Sequence, residues 1–152
     1  DVAVLRRDQL DVQTLLSGWD LQAADPPGRL RPWQPGETLP ESVHDIWCRR
    51  SPEAAWGIQL MLDEADDEDW VYRRQPAVRR PLSTLVQEVD GVPYLTVEVQ
   101  LLYKAGARSP TNEADFDACL PLLAPEPRAW LASALALAHP GHPWLRRLRQ
   151  SA

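Results

Sequence analysis

Trp56-Gly57-Ile58-Gln59-Leu60-Met61-Leu62-Asp63 is the stretch on which the reading of the fold turns. Its alternation puts Ile58, Leu60 and Leu62 on one face of a strand, and Gln59, Met61 and Asp63 on the other. Val43 to Arg49 repeats the pattern upstream, with Ile46 and Cys48 together, and Trp19 to Ala23 reads as a further strand. Trp70 to Arg73 is a short strand downstream. The run 63–69, in which six of seven residues are acidic, is then a hairpin tip. The middle of the chain reads as an antiparallel meander.

Toward the start, Asp1-Val2-Ala3-Val4-Leu5 predicts a buried strand. Domains seldom begin inside a core strand, because chain ends fray. Asp1 is therefore expected to be the cut edge of a longer protein, with a sheet face left uncovered as an apolar patch. Asp8 is placed to cap a helix carrying Leu10, Leu15 and Leu16, and Gly18 stands where such a helix ends. Asp25-Pro26-Pro27-Gly28 forces a turn, and Arg29 to Pro40 reads as a loop with a brief extended piece at Leu30.

The second half changes character. Thr96 is read as the N-cap of a helix running to about Ala107, and Thr111 as the cap of one from Asn112 to Leu123. Pro125 to His139, rich in Ala and Leu, is a third helix, stopped by Pro140-Gly141. Pro143 opens a last short helix ending in Arg146, Arg147 and Arg149. Strands first and helices second make this an α+β protein. The expected grouping is a sheet region over 1–95 and helices over 96–152 packed on it, within a single domain.

Composition agrees with a soluble globular protein: 152 residues, 44% hydrophobic and 25% charged, long enough for a real core. The net charge of −6 argues against nonspecific nucleic-acid binding and suits a cytoplasmic protein or one that meets cationic ligands. No window nears the roughly 18 apolar residues needed to span a membrane. Cys48 and Cys119 are too few for a metal framework and read as free thiols in a reducing compartment.

Several residues invite chemistry. The acidic run is a solvated tip; a calcium loop would need a glycine turn and a terminal glutamate at fixed offsets. Asp63, at a strand end, either begins the turn or, beside a strand carrying Asp1, holds a divalent ion. Lys104 interrupts a stripe of Val97, Leu101 and Arg108, so it either snorkels to solvent or reaches an anion such as phosphate. Arg73-Arg74 and Arg79-Arg80 form a basic patch, which is either solvated surface or a dock for a triphosphate. His44, His139 and His142 match no zinc spacing and read as structural. There is no glycine-rich phosphate loop, nucleophile elbow or dinucleotide fingerprint.

Taken in order, a set of segments carries a resemblance. They are Asp1-Val-Ala-Val-Leu-Arg-Arg-Asp-Gln9, Gly18-Trp-Asp-Leu21, Arg31-Pro-Trp33, Trp70-Val-Tyr-Arg-Arg74, Pro93-Tyr-Leu95, Glu98-Val-Gln-Leu-Leu-Tyr-Lys104, Glu113-Ala-Asp-Phe116 and Pro140-Gly-His-Pro-Trp-Leu145. Together they resemble the bacterial nucleotidyltransferase-like proteins related to aminoglycoside-2″-adenylyltransferases, over nearly the whole chain. The resemblance implies a nucleotidyltransferase-like mixed or antiparallel sheet followed by a C-terminal helical segment. It implies transfer of AMP from ATP, or another nucleoside triphosphate, to a hydroxyl of a small molecule, aminoglycoside-like in the family, with Mg²⁺ as cofactor. Asp1 matches the second carboxylate of the family's Asp-x-Asp metal pair, whose Gly-Gly segment and first Asp would lie upstream.

The family's third carboxylate aligns with Gln59, which takes no proton at neutral pH and is a weak Mg²⁺ ligand. Asp63, on the same face, is the expected substitute, so Asp1, Gln59 and Asp63 are the catalytic positions and Asp1 and Asp63 the metal ligands. Lys104 matches the family's helix lysine, and with Arg73 and Arg74 it is expected to bind the nucleotide phosphates. Thr111-Asn112 stands where relatives often carry Lys-Asp, and Val97-Glu98 where they carry Pro-Glu. Those departures, with Gln59, leave open a non-catalytic relative that binds a nucleotide or a partner. A toxin-like enzyme acting on tRNA is a third reading, opposed by the acidic charge.

Overall fold

The computed structural model describes residues 1–107 and 109–150. They form an α+β structure, mostly antiparallel in its strand pairing, in two compact units, Asp1–Asp67 and Glu68–Ala152. The helices after residue 96 share a unit with the stretch from residue 68 onward. Arg108 of the Lys104 stripe lies outside the described residues.

The first unit is built on the quoted strand. β1 (Val2–Leu5) is followed by α1 (Gln9–Leu15), β2 (Asp20–Ala24), β3 (Leu30–Pro32), β4 (Asp45–Arg49) and β5 (Ile58–Asp66). The strands run in the order β3-β2-β4-β5, antiparallel throughout, and β1 adds to β5 in parallel. Leu21, Ala23, Ile46, Cys48, Leu60 and Leu62 form the core on one face, with Val12 and Leu16 of the α1 region packed against it. The alternation read from the sequence thus selects the buried face. β1 departs from expectation: Val2 is 47% exposed, although Val4 packs against the core, and among the described residues β1 pairs with β5 alone.

Arg6 locks the end of β1 into this unit. Its guanidinium donates to Glu64 Oε1 at 2.6 Å and to the carbonyls of Pro40 and Val43 at 3.0 and 2.9 Å. Gln9, buried, donates to Arg6 O at 2.9 Å and accepts from the Leu39 N–H at 2.8 Å. The turn at 25–29 closes with Arg29 N–H donating to Pro26 O, and Gly28 takes φ +83°, open to glycine at no steric cost.

The second unit begins with β6 (Asp69–Val71), paired antiparallel with β7 (Arg79–Pro81). A separate hairpin follows, β8 (Val86–Val89) and β9 (Val92–Leu95), joined by Asp90-Gly91. Both turn residues have positive φ, +53° and +76°, as a two-residue hairpin turn of the right twist requires. Four helices complete the unit: α2 (Val97–Ala105), α3 (Pro110–Cys119), α4 (Pro125–Ala138) and α5 (Trp144–Gln150). The cap of α3 is Ser109, not Thr111. Its Oγ accepts from the Asn112 N–H at 3.1 Å, and Pro110 fills the first helical turn, where its missing N–H costs nothing. Trp70, Tyr72, Phe116, Leu131 and Trp144 anchor this unit's core.

Candidate functional site

The expected site residues fall in both units: Asp1, Gln59 and Asp63 in the first, Arg73, Arg74 and Lys104 in the second. Register decides the arrangement of the first group. The parallel ladder runs from Val2 opposite Leu60 to Leu5 opposite Asp63. One step before Val2, Asp1 stands level with Gln59, on the face that Gln59 shares with Met61 and Asp63. Asp63 lies four positions further along β5, about 13 Å away at the strand rise. Parallel strands keep their starts together, so a residue at the beginning of β1 cannot meet one late in β5.

The expected sharing of one ion by Asp1 and Asp63 is therefore corrected. Same-face alternation held, but two carboxylates this far apart do not fit a shared Mg²⁺ or a two-metal clamp of about 4 Å. No group of three or more His, Cys, Asp or Glu among the described residues is arranged to hold a metal ion. Asp63 itself is buried, 6% exposed, and not a solvated turn residue: β5 continues through Asp66 before the chain turns.

Around Gln59 the same sheet face is polar and half-buried. Gln59 Nε2 donates to Asp45 Oδ1 at 3.0 Å, across the β4–β5 pairing. Trp47 is the direct register partner of Gln59, and Gln22 that of Trp47, so Gln22, Trp47 and Gln59 make one row across β2, β4 and β5, which Asp1, just ahead of β1, extends when the register is continued by one step. At its margin Arg49 donates to Asp20 Oδ2 at 2.6 Å and stacks 4.3 Å above the Trp56 ring, which meets Trp47 edge-on at 6.0 Å. The Gln22 amide beside Asp20, reinforced by Arg49, holds the Asp20 carboxyl below its ordinary value. Asp45 and Asp20 escaped the sequence reading. Their only sequence signal is polar residues at alternate positions of strands whose other face is core.

In the second unit, Lys104 does not stand free. Its Nζ meets Asp115 Oδ2 at 2.7 Å, both side chains about two-fifths exposed at 36% and 41%. Asn112 donates to the carbonyls of Lys104 and Ala107, tying the end of α2 to the start of α3. Arg74 lies 3.5 Å from the Tyr72 hydroxyl and 5.9 Å from the Tyr103 ring centre. A Cβ at Gly106 would run into that guanidinium, so the glycine leaves room for it. Arg73 is half-buried.

Arg80 leaves the expected basic patch altogether. Strand alternation turns Arg79 outward and Arg80 inward, where it is 6% exposed and pairs with Glu98 at 2.7 Å. Cys48 and Cys119 are free, one buried and one half-buried. Burial pushes the Cys48 thiol up to about 11. Comparison with protein-family models, with curated proteins and with solved structures finds no match to this chain.

Proposed function

We propose that this chain is a nucleotidyltransferase-like protein that binds a nucleoside triphosphate and does not itself transfer the nucleotidyl group. The observation that carries this reading is Gln59. It stands level with Asp1, where the resemblance places the third acid, and its amide is a donor to Asp45. Nucleotidyl transfer would need an acceptor hydroxyl to attack the α-phosphorus in line, with pyrophosphate leaving and the hydroxyl proton going to a base. A glutamine takes no such proton. Arg73, Arg74 and Lys104 supply the cationic side chains for a triphosphate, Lys104 by exchanging Asp115 for a phosphate oxygen.

The second reading is AMP transfer from ATP to a hydroxyl of a small, aminoglycoside-like molecule. One observation favours it: the register sets Asp1 beside position 59 on one sheet face, and these are two of the positions to which the resemblance gives a catalytic role. Its Mg²⁺ would have to be held without the Asp1–Asp63 pair.

Two measurements on the same preparation decide. A fluorescent ATP analogue is titrated to saturation, and [α-³²P]ATP is incubated with Mg²⁺ and a panel of hydroxyl acceptors. Saturable binding with no labelled acceptor is the expected result. A labelled acceptor above the protein-free blank moves the conclusion to the second reading, and absence of binding as well as of transfer overturns both.

A further inference from the structure

A surface cavity of about 780 Å³, broadly open to solvent, lies beside the end of α4 and α5. Ala136, Pro140, Pro143 and Leu145 give it an apolar wall, and His142, Arg146, Arg149 and Gln150 give it a polar one. Among the described residues no Asp or Glu lines it, although the chain carries 22 acidic residues.

The arginines of α5 divide sharply. Arg147 is engaged at the surface of the unit: it pairs with Asp117 at 2.6 Å and lies 4.8 Å from the Phe116 ring centre. Arg146 and Arg149 are three residues apart and share the opposite, exposed side, and neither has an acidic partner among the described residues. Two like charges on one helix side repel unless an anion is present.

Their mounting is rigid. Trp144 is buried and stacks on Phe116 at 4.1 Å with the rings 4° apart, and its indole N–H donates to Glu113 at 2.8 Å. Leu145 and Leu148 join the core. His142 Nδ1 accepts from the Trp144 N–H at 3.3 Å, which fixes the ring at the cavity wall. A guanidinium fork matches the oxygens of a tetrahedral oxyanion, and two forks on a fixed helix give it a defined place. Half of the wall is apolar, so the anion comes attached to an organic group.

We infer that this cavity binds a small phosphomonoester, its phosphate between Arg146 and Arg149 and its organic part against Pro140, Pro143 and Leu145. The site is independent of Arg73, Arg74 and Lys104, and of nucleotidyl transfer. The test is titration of the full chain with phenyl phosphate, with phenol and inorganic phosphate run in parallel, followed by calorimetry and by backbone amide shifts. Saturable binding of phenyl phosphate is expected, tighter than either fragment alone, with shifts at His142, Arg146 and Arg149. Arg146→Gln/Arg149→Gln should weaken it roughly ten-fold or more. Arg29→Gln/Arg50→Gln, which removes the same charge from the first unit, should leave it unchanged, circular dichroism confirming that both variants are folded. No saturation up to about 10 mM, equal losses in the two double variants, or shifts clustered elsewhere would each overturn the assignment.

Discussion

Arg80 and Glu98 are joined at 2.7 Å inside the second unit, with side chains only 7% and 4% exposed. Arg80 also donates through Nε to Thr84 O at 3.1 Å and lies 5.0 Å from the Trp130 ring centre. The pair links β7 to the first turn of α2. Removing one member strands a charge in the core, at a cost of about 3–5 kcal/mol, whereas an apolar pair of similar volume can be close to neutral. Arg80→Met and Glu98→Leu alone are expected to lower urea unfolding midpoints steeply, and the double variant to recover most of the loss. Additive losses in the double variant would show that the two side chains are not coupled.

Gln59 donates to Asp45, so replacing it by an acid reverses the contact. In Gln59→Glu two carboxylates face each other at neutral pH, which raises the pKa of the new group in the folded state. A raised folded-state pKa contributes stability that is present below the unfolded value and is lost as pH rises through the folded value. The variant should therefore be destabilised by about 1–3 kcal/mol at pH 8 and much less at pH 4.5, relative to the parent protein at the same pH. Equal losses at both pH values would mean that the Gln59–Asp45 hydrogen bond is not made in solution.

Glu37 gives a second pH dependence of opposite sign. Its carboxylate accepts from Arg31 at 2.7 and 3.0 Å and from the Gln34 N–H at 3.0 Å, chiefly the Arg31 hydrogen bonds holding it below its ordinary value of 4.5. A depressed folded-state pKa contributes stability above the unfolded value, lost as pH falls through the folded one. β3 and the turn that follows it to Glu37 should lose order as pH drops below about 4.5, seen as falling amide protection at Trp33 and Glu37, which are joined by the Trp33 Nε1 bond to Glu37 O. Glu37→Gln should flatten that response.

Thiol chemistry separates the two cysteines. Cys48 is buried in the first unit's core with its thiol pushed up to about 11, and the thiolate is the reactive form. At pH 8 a disulfide reagent should label Cys119, half-buried, and reach Cys48 only after denaturant is added. Two equivalents reacting at one rate in the native protein would contradict the placement of Cys48.

The sheet faces were legible because alternation is a local property: Ile58, Leu60 and Leu62 sort themselves from Gln59, Met61 and Asp63 without any partner strand. Distance along a strand pair is not local. Asp1 and Asp63 share a face, but only the parallel register shows them a ladder's length apart. Arg79-Arg80 looked like a patch because neighbours in sequence were read as neighbours in space, whereas a strand sends them to opposite sides. Lys104 found Asp115 on another helix, a pairing no spacing rule reports. The β8–β9 hairpin has a local signal of its own: Asp90-Gly91 between valines is a strong turn signal, offset by Pro93, which argues against an interior strand.

That hairpin is exposed along nearly its whole length, with Val86, Val89, Val92 and Tyr94 each about half open to water and no third strand beside it among the described residues. Two strands without a covering layer hold together weakly. Residues 86–95 are therefore expected to open as a foldon of their own, leaving the helices around Trp144 undisturbed. Hydrogen exchange there should follow a low, denaturant-insensitive free energy, while the amides of α2 and α4 exchange only through global unfolding. A protease supplied with the native protein would cut first at this site.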